Sequence, residues 1–172
     1  MLMDFKKYIR DVPDFPKKGI VFRDISPLLE NPEIWRAAID ALEGMAEDMK
    51  PDMLAGIDAR GFLLAAPLSY KMGIGFSMVR KKGKLPWETI DHTYELEYGN
   101  DQVELHADAF PKGAKVLICD DLLATGGTAA AAKILVEKCG ATPVGLLCLV
   151  ELEGLGGREK LGGLPVKALM TY

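Results

Sequence analysis

The stretch VLICDDLLATGGT, residues 116–128, limits the fold more than any other part of the chain. Val116 to Cys119 is an uninterrupted apolar run of the kind buried on both faces of a parallel sheet. It meets two carboxylates, Asp120 and Asp121, before a small-residue turn opens a helical pattern over Thr128 to Lys138. Ala131, Ile134, Leu135 and Lys138 recur there at helical spacing, and Gly140 supplies a C-terminal cap. The same order of elements precedes and follows it. Met53 to Ile57 is a short apolar strand, Gly61 to about Met72 an apolar helix, and Gly75 to Arg80 and Val144 to Val150 are further strands. This alternation predicts an α/β fold: an open, mainly parallel twisted sheet covered by helices on both faces. Ligands are expected beyond the carboxyl ends of the strands, where strand order reverses.

Around this frame, Asn31 and Pro32 read as the cap and first turn of an amphipathic helix over 32–49, with Trp35, Ala38, Leu42, Met45 and Met49 on its apolar side and Pro51 ending it. Lys81 to Asp91 is polar, basic and aperiodic, which predicts a long mobile loop. Thr93 to Tyr98 and Val103 to His106 flank Gly99, Asn100, Asp101 and Gln102 and predict a hairpin projecting from the sheet. With 172 residues, 49% of them hydrophobic, one domain spanning 1–172 is expected.

Charge and special residues remove several classes of function. The formal charge of −4 argues against a nucleic-acid partner. No apolar run approaches the roughly 20 residues that span a bilayer, so no membrane partner is expected. Met1 to Arg10 lacks the apolar core of a secretion signal, and a cytoplasmic protein is expected. Cys119, Cys139 and Cys148 are odd in number and widely spaced, and read as packing thiols. His92 and His106 are too isolated to make a metal site unaided. Neither Gly-x-x-x-x-Gly-Lys-Ser/Thr nor a Gly-x-Gly-x-x-Gly after a strand occurs, which disfavours nucleotide hydrolases and dinucleotide dehydrogenases.

Two readings of 116–128 stand: Asp120 and Asp121 end a strand and cap a turn, with the glycines making a tight connection, or the segment specifies a ligand. Free N–H groups and the positive end of a helix attract an anion, Gly126 and Gly127 leave room for a phosphate, and Thr125 and Thr128 add hydroxyl donors. Asp120 and Asp121 repel a phosphate, so they suit the hydroxyls of a sugar or a hydrated divalent cation. A sugar phosphate satisfies both halves. Arg80, Lys81, Lys82 and Lys84 add a basic cluster to an acidic chain, either a solvated run or an anion contact.

This segment resembles the phosphoribosyl pyrophosphate signature of the type I phosphoribosyltransferases. FPKKGIVFRDISPLL (15–29), GIDARGF (56–62), RKKGKLP (80–86), LEYG (96–99) and LVELEGLGGREKL (149–161) extend the likeness to the adenine branch of that family. The resemblance implies a small N-terminal hood over about 1–30 and a flexible catalytic loop and hairpin over 80–108. It implies transfer of 5-phosphoribose from phosphoribosyl pyrophosphate to N9 of adenine in purine salvage, giving AMP and pyrophosphate, with magnesium (Mg2+) bound mainly by substrate. A homodimer is implied as well.

By the same resemblance Ala124, Thr125, Gly126, Gly127 and Thr128 hold the 5-phosphate, and Asp120 and Asp121 receive the ribose hydroxyls or a magnesium-bound water. Asp58, Ala59 and Arg60 face pyrophosphate, where the family has a non-proline cis peptide. Arg80, Lys81 and Lys84 close over it, with Arg60 and Lys84 in catalytic roles. Val21, Phe22 and Arg23 read the adenine against an opposite wall at Leu122, although Val21, Phe22 and Ile25 also fit a strand packing on the core. Glu97 corresponds to the carboxylate that assists at the purine; its other reading is an exposed strand glutamate. Two rival functions follow: transfer to hypoxanthine, guanine or another base, and a regulatory module that binds phosphoribosyl pyrophosphate without turning it over.

Overall fold

The structure is a computed structural model, and residues 3–96 and 99–172 are described. The chain divides into two compact units, 1–41 and 42–172.

The first unit is built from local hydrogen bonds. A 3-10 turn at Phe5–Tyr8 is capped by Asp4, whose Oδ1 accepts from the Lys6 amide. Strands β1 (Arg10–Pro13) and β2 (Val21–Asp24) pair antiparallel, Val12 opposite Phe22. The Phe15 and Phe22 rings meet edge to face with centroids 5.3 Å apart. Asp24 Oδ1 accepts from both the hydroxyl (2.6 Å) and the amide (2.9 Å) of Ser26, which starts the short helix α1 (Ser26–Glu30) and holds the Asp24 carboxyl below its ordinary pKa. Asn31 then accepts from the amides of Glu33 and Ile34, the expected cap of α2 (Pro32–Glu47). The buried stripe of α2 runs through Ile34, Ala38, Ile39, Leu42 and Ala46; Trp35 and Met45 only flank it, a correction of about one position to the expected face.

In the second unit, β3 (Met53–Ile57), β4 (Gly75–Lys81), β7 (Lys115–Leu123), β8 (Thr142–Glu151) and β9 (Val166–Thr171) are parallel, while β5 (Thr89–Glu95) and β6 (Asn100–His106) form an antiparallel hairpin. Among the described residues the order is β5-β6-β4-β3-β7-β8-β9. Helix α3 (Gly61–Met72) joins β3 to β4 and α4 (Gly127–Lys138) joins β7 to β8, so the sheet grows outward in both directions from the β3–β7 pair. The two helices cover opposite faces, as expected. A Cβ on Gly56 would lie 2.9 Å from the Ala65 Cβ of α3, whereas Ala55 and Ile57 share a core with Ala131 and Leu135 of α4. Strand order therefore reverses between β3 and β7, and an open sheet binds ligands at the carboxyl ends flanking such a point.

Several expectations need correction. The segment 81–91 is not one long loop, because β4 includes Lys81 and β5 begins at Thr89, leaving 82–88 as a turn. The hairpin strands, 89–95 and 100–106, begin four and three residues earlier than expected, and the end of the expected first strand at 97–98 lies outside the described residues; seven cross-strand pairs from Thr89–His106 to Glu95–Asn100 set the register. The acid pair does not end its strand, since β7 continues to Leu123. Strand β9 and the four-residue helix α5 (Gly157–Lys160) lie beyond what periodicity predicts. Cys119 and Cys148 are fully buried packing thiols, with burial pushing the Cys148 pKa up to about 12. Among the described residues no helix is long and apolar enough to cross a membrane.

Candidate functional site

Two loops meet at the reversal point. Gly56 lies opposite Cys119 in the β3–β7 register, so Asp58 leaves β3 where Asp120 sits in β7. Helix α3 begins against β7 with little clearance: a Cβ on Gly61 would stand 2.5 Å from the Cys119 carbonyl oxygen. The peptide Asp58–Ala59 between them is cis. The result is a cleft of about 360 Å³ lined by Ile57, Asp58, Ala59, Arg60, Lys81, Asp120, Asp121, Leu122 and Thr128.

A second hollow of about 110 Å³ adjoins it, lined by Asp120 and Leu122 through Ala129. Its floor is the start of α4. Gly126 sits at φ +82°, which side-chain-bearing residues rarely adopt, and a Cβ there would be 2.7 Å from the Gly157 carbonyl oxygen. This turn leaves the first amides of α4 without partners inside the helix, a site suited to a phosphoryl group.

Opposed charges line the larger cleft. Arg60 Nε lies 2.6 Å from Asp121 Oδ2, and Asp121 is otherwise buried. Arg80 Nε (3.2 Å) and Lys84 Nζ (3.5 Å) share Asp58 Oδ2. Lys81 Nζ contacts Asp101. Burial, reinforced by the like charge of Asp121, holds the Asp120 carboxyl well above its ordinary pKa, with Arg60 opposing. A cation or a set of sugar hydroxyls relieves such a pair; a bare phosphate worsens it.

The anticipated residues thus separate into groups. Asp58, Ala59, Arg60, Lys81, Asp120, Asp121, Leu122 and Thr128 line one cleft, Ala124 to Thr128 line the adjoining hollow, and Arg80 and Lys84 join through Asp58. Val21, Phe22 and Arg23 lie on β2 in the first unit, where Arg23 pairs with Asp11. Glu97 lies outside the described residues. Among those described, no group of three or more His, Cys, Asp or Glu side chains is placed to hold a metal ion.

Sequence reasoning missed two residues. The Tyr94 hydroxyl lies 3.0 Å from Thr128 Oγ1 and 3.3 Å from Asp101 Oδ2, so the hairpin touches the start of α4. Glu104 is 2% exposed and holds the turn carrying Lys84. Neither had a local signal, because a strand residue between Val103 and Leu105 reads as solvent-facing until the turn above it is placed.

Comparison with known proteins agrees with this geometry. The model of the phosphoribosyl transferase domain family matches residues 24–162. An adenine phosphoribosyltransferase of Synechococcus is 49% identical over 170 residues, 99% of each chain. The crystal structure of adenine phosphoribosyltransferase from Thermoanaerobacter pseudethanolicus superposes with a TM-score of 0.95 at 48% identity, covering 98% of both chains. The Saccharomyces cerevisiae enzyme, complexed with an imino-altritol 1,6-bisphosphate and adenine, superposes with a TM-score of 0.90 at 43% identity over 96% of each chain. An acid pair beside an amide-lined hollow, at the reversal point of a type I phosphoribosyltransferase sheet, and this likeness along nearly the full length lead to one assignment: the chain belongs to the adenine phosphoribosyltransferase family.

Proposed function

We propose that this protein transfers 5-phosphoribose from phosphoribosyl pyrophosphate to N9 of adenine, releasing pyrophosphate and forming AMP, a step of purine salvage. The observation that carries the reading is the adjacency of the amide-lined hollow to the cleft holding Asp120, Asp121 and Arg60. A phosphoryl group in the hollow leaves ribose hydroxyls beside the acids and a C1 diphosphate beside Arg60, Arg80 and Lys84. That the yeast relative is complexed with a sugar-like bisphosphate and adenine together supports the same division of the ligand.

In this reading the C1–O bond to pyrophosphate breaks and takes its electron pair with the leaving group. The adenine N9 lone pair bonds to C1, and the N9 proton departs. The chain contributes chiefly by fixing geometry and by stabilising charge on the departing diphosphate. The guanidiniums of Arg60 and Arg80 offer forked donors, and Lys84 a compact charge. Ligand binding draws Arg60 from Asp121 and Lys84 from Asp58, freeing the carboxylates for hydroxyls and bound water. Magnesium, carried on the substrate's oxygens, supplies neutralisation of diphosphate charge. Glu97 receives or relays the N9 proton, a role worth about 10²- to 10⁴-fold in rate. Val21, Phe22, Arg23 and Leu122 contact the base, a role carried over from the family resemblance.

A homodimer and a cytoplasmic setting complete the proposal. Three free thiols, Cys119, Cys139 and Cys148, suit a reducing compartment. The test is direct. Purified protein with adenine, phosphoribosyl pyrophosphate and magnesium is expected to yield AMP and pyrophosphate in equal amounts, faster than the corresponding products from hypoxanthine or guanine. Light scattering on the same sample is expected to give twice the chain mass. No AMP would reject the activity; equal rates on all three bases would reject the choice of adenine; a single chain mass would reject the dimer.

A further inference from the structure

We propose that Glu104 is a positioning residue for this transfer: from inside the protein it clamps the 82–88 turn so that Lys84 is held at the pyrophosphate side of the cleft. The inference rests on the function proposed above and adds a residue to it. Glu104 lies on β6 between Val103 and Leu105, which point into the core shared with α4, so its own side chain emerges on the other face of the strand. There it is 2% exposed, a costly place for a carboxylate without compensation. The compensation is the turn itself. Oε1 accepts three consecutive backbone amides, Gly83 at 3.1 Å, Lys84 at 3.0 Å and Leu85 at 2.9 Å, and Oε2 lies 3.8 Å from Lys82 Nζ.

Successive amides gathered around one oxygen form an anion-binding nest, and here its occupant is a side chain of the protein. The other bonds to the turn lie toward its ends: the Lys82 amide donates to the Gln102 carbonyl at 3.1 Å, the Lys84 amide also reaches the Lys81 carbonyl at 3.3 Å, Lys82 Nζ meets Asp91 at 3.2 Å, and the Glu88 carbonyl accepts from the Ala107 amide at 2.9 Å. Residues 81–84 and 86–88 are exposed, Trp87 is 66% exposed, and Arg80, Lys81, Lys82 and Lys84 repel one another. Glu104 also sits opposite Arg80 in the β4–β6 register. The Arg80 guanidinium continues the chain of contacts, its Nη1 donating to the Lys84 carbonyl at 3.4 Å and its Nε to Asp58 at 3.2 Å. The path from Glu104 thus runs through the backbone of the turn to the two cations that meet Asp58. Glu104 touches no reacting atom in this scheme; it determines where Lys84 is when the diphosphate arrives. Burial by itself would raise the Glu104 pKa, but the amides of Leu85, Gly83 and Lys84 and the charge of Lys82 hold it below its ordinary value, so the clamp is ionised at neutral pH.

The test is a double-mutant cycle on the full chain, with Glu104→Gln, Lys84→Ala and the double variant assayed with saturating magnesium. Loosening of the turn in Glu104→Gln is expected to lower kcat/KM for phosphoribosyl pyrophosphate by about 10- to 100-fold, the scale of an ångström of misplacement, while KM for adenine stays within about 2-fold. In the Lys84→Ala background the same substitution is expected to cost less than about 2-fold, since the group it positions is gone. In a Trp35→Phe background, which leaves Trp87 as the sole tryptophan, Glu104→Gln is expected to lower fluorescence anisotropy. Glu104→Asp, which keeps the charge but withdraws it from the amides, serves in the same cycle if Glu104→Gln does not fold. Additive losses in the cycle, or unchanged kinetics for phosphoribosyl pyrophosphate, would overturn the clamp. Tighter pyrophosphate binding by Glu104→Gln would also overturn it, by marking Glu104 as a competitor for the nest. Absence of AMP from the wild-type protein is a different failure, rejecting the transfer itself.

Discussion

Asp120 and Asp121 are consecutive in β7, yet their surroundings differ. Asp121 has Arg60 at 2.6 Å, whereas Asp120 accepts a 2.8 Å bond from the Asp121 amide and is burdened by burial and by the neighbouring charge. A group whose pKa is raised by folding stabilises the native state less as it ionises, so at neutral pH the Asp120 charge works against folding. Asp120→Asn is therefore expected to raise the melting temperature of the ligand-free protein by about 2–4 °C while weakening phosphoribosyl pyrophosphate binding at least about 10-fold. Calorimetry and a binding titration on one preparation check both; a lower melting temperature would contradict the electrostatic reading. The acid pair and the small-residue turn were legible because they are contiguous. Tyr94 and Glu104 were not, because each acquires its role from residues about 20 or more positions away, at Thr128 and at 83–85.

At the scale of elements, the site depends on how closely α3 and β7 approach. Gly61 makes this possible, since a Cβ would collide with the backbone oxygen of Cys119, which has no rotamer by which to move aside. Gly61→Ala is expected to cost about 2–3 kcal/mol of stability, the scale of overpacking. It is also expected to reduce transfer by more than stability alone explains, because Arg60 precedes the displaced turn. Gly44, inside α2 with nothing beyond its chain neighbours and its own helical backbone within 4 Å of where a methyl group would stand, is the control: Gly44→Ala is expected to add about 0.5–1 kcal/mol through helix propensity. Urea unfolding of the two variants separates the effects. The existence and type of β3, α3, β7, α4 and β8 followed from apolar periodicity. The hairpin register did not, because cross-strand pairing in 89–106 is specified by which face each residue can bury and not by the turn residues alone.

Over the whole molecule, a chain of formal charge −4 concentrates Arg60, Arg80, Lys81 and Lys84 around one end of its sheet. A ligand that binds only the folded state stabilises it by mass action. Phosphoribosyl pyrophosphate with magnesium at about one hundred times Kd adds about 2.7 kcal/mol, which for a chain of this length raises the melting temperature by roughly 5–10 °C. Chelating the metal is expected to remove most of that shift, and a shift unaffected by chelation would remove magnesium from the proposal. This measurement reports the ligand-bound state independently of turnover.

By itself the sequence determined the elements whose hydrogen bonds and burial close over short distances: the capped helices, the apolar strands, the amide-rich turn at 124–128 and the acids before it. Only the tertiary structure decided the strand order that brings 58–60 beside 120–121, the sharing of Asp58 by Arg80 and Lys84, and the burial of Glu104 beneath its turn. The physical reason is that a helix or tight turn satisfies its amides from within, so local residue choice suffices to specify it. A sheet strand or a buried carboxylate satisfies its polar groups from residues far along the chain, and its partner is settled only when the core has closed.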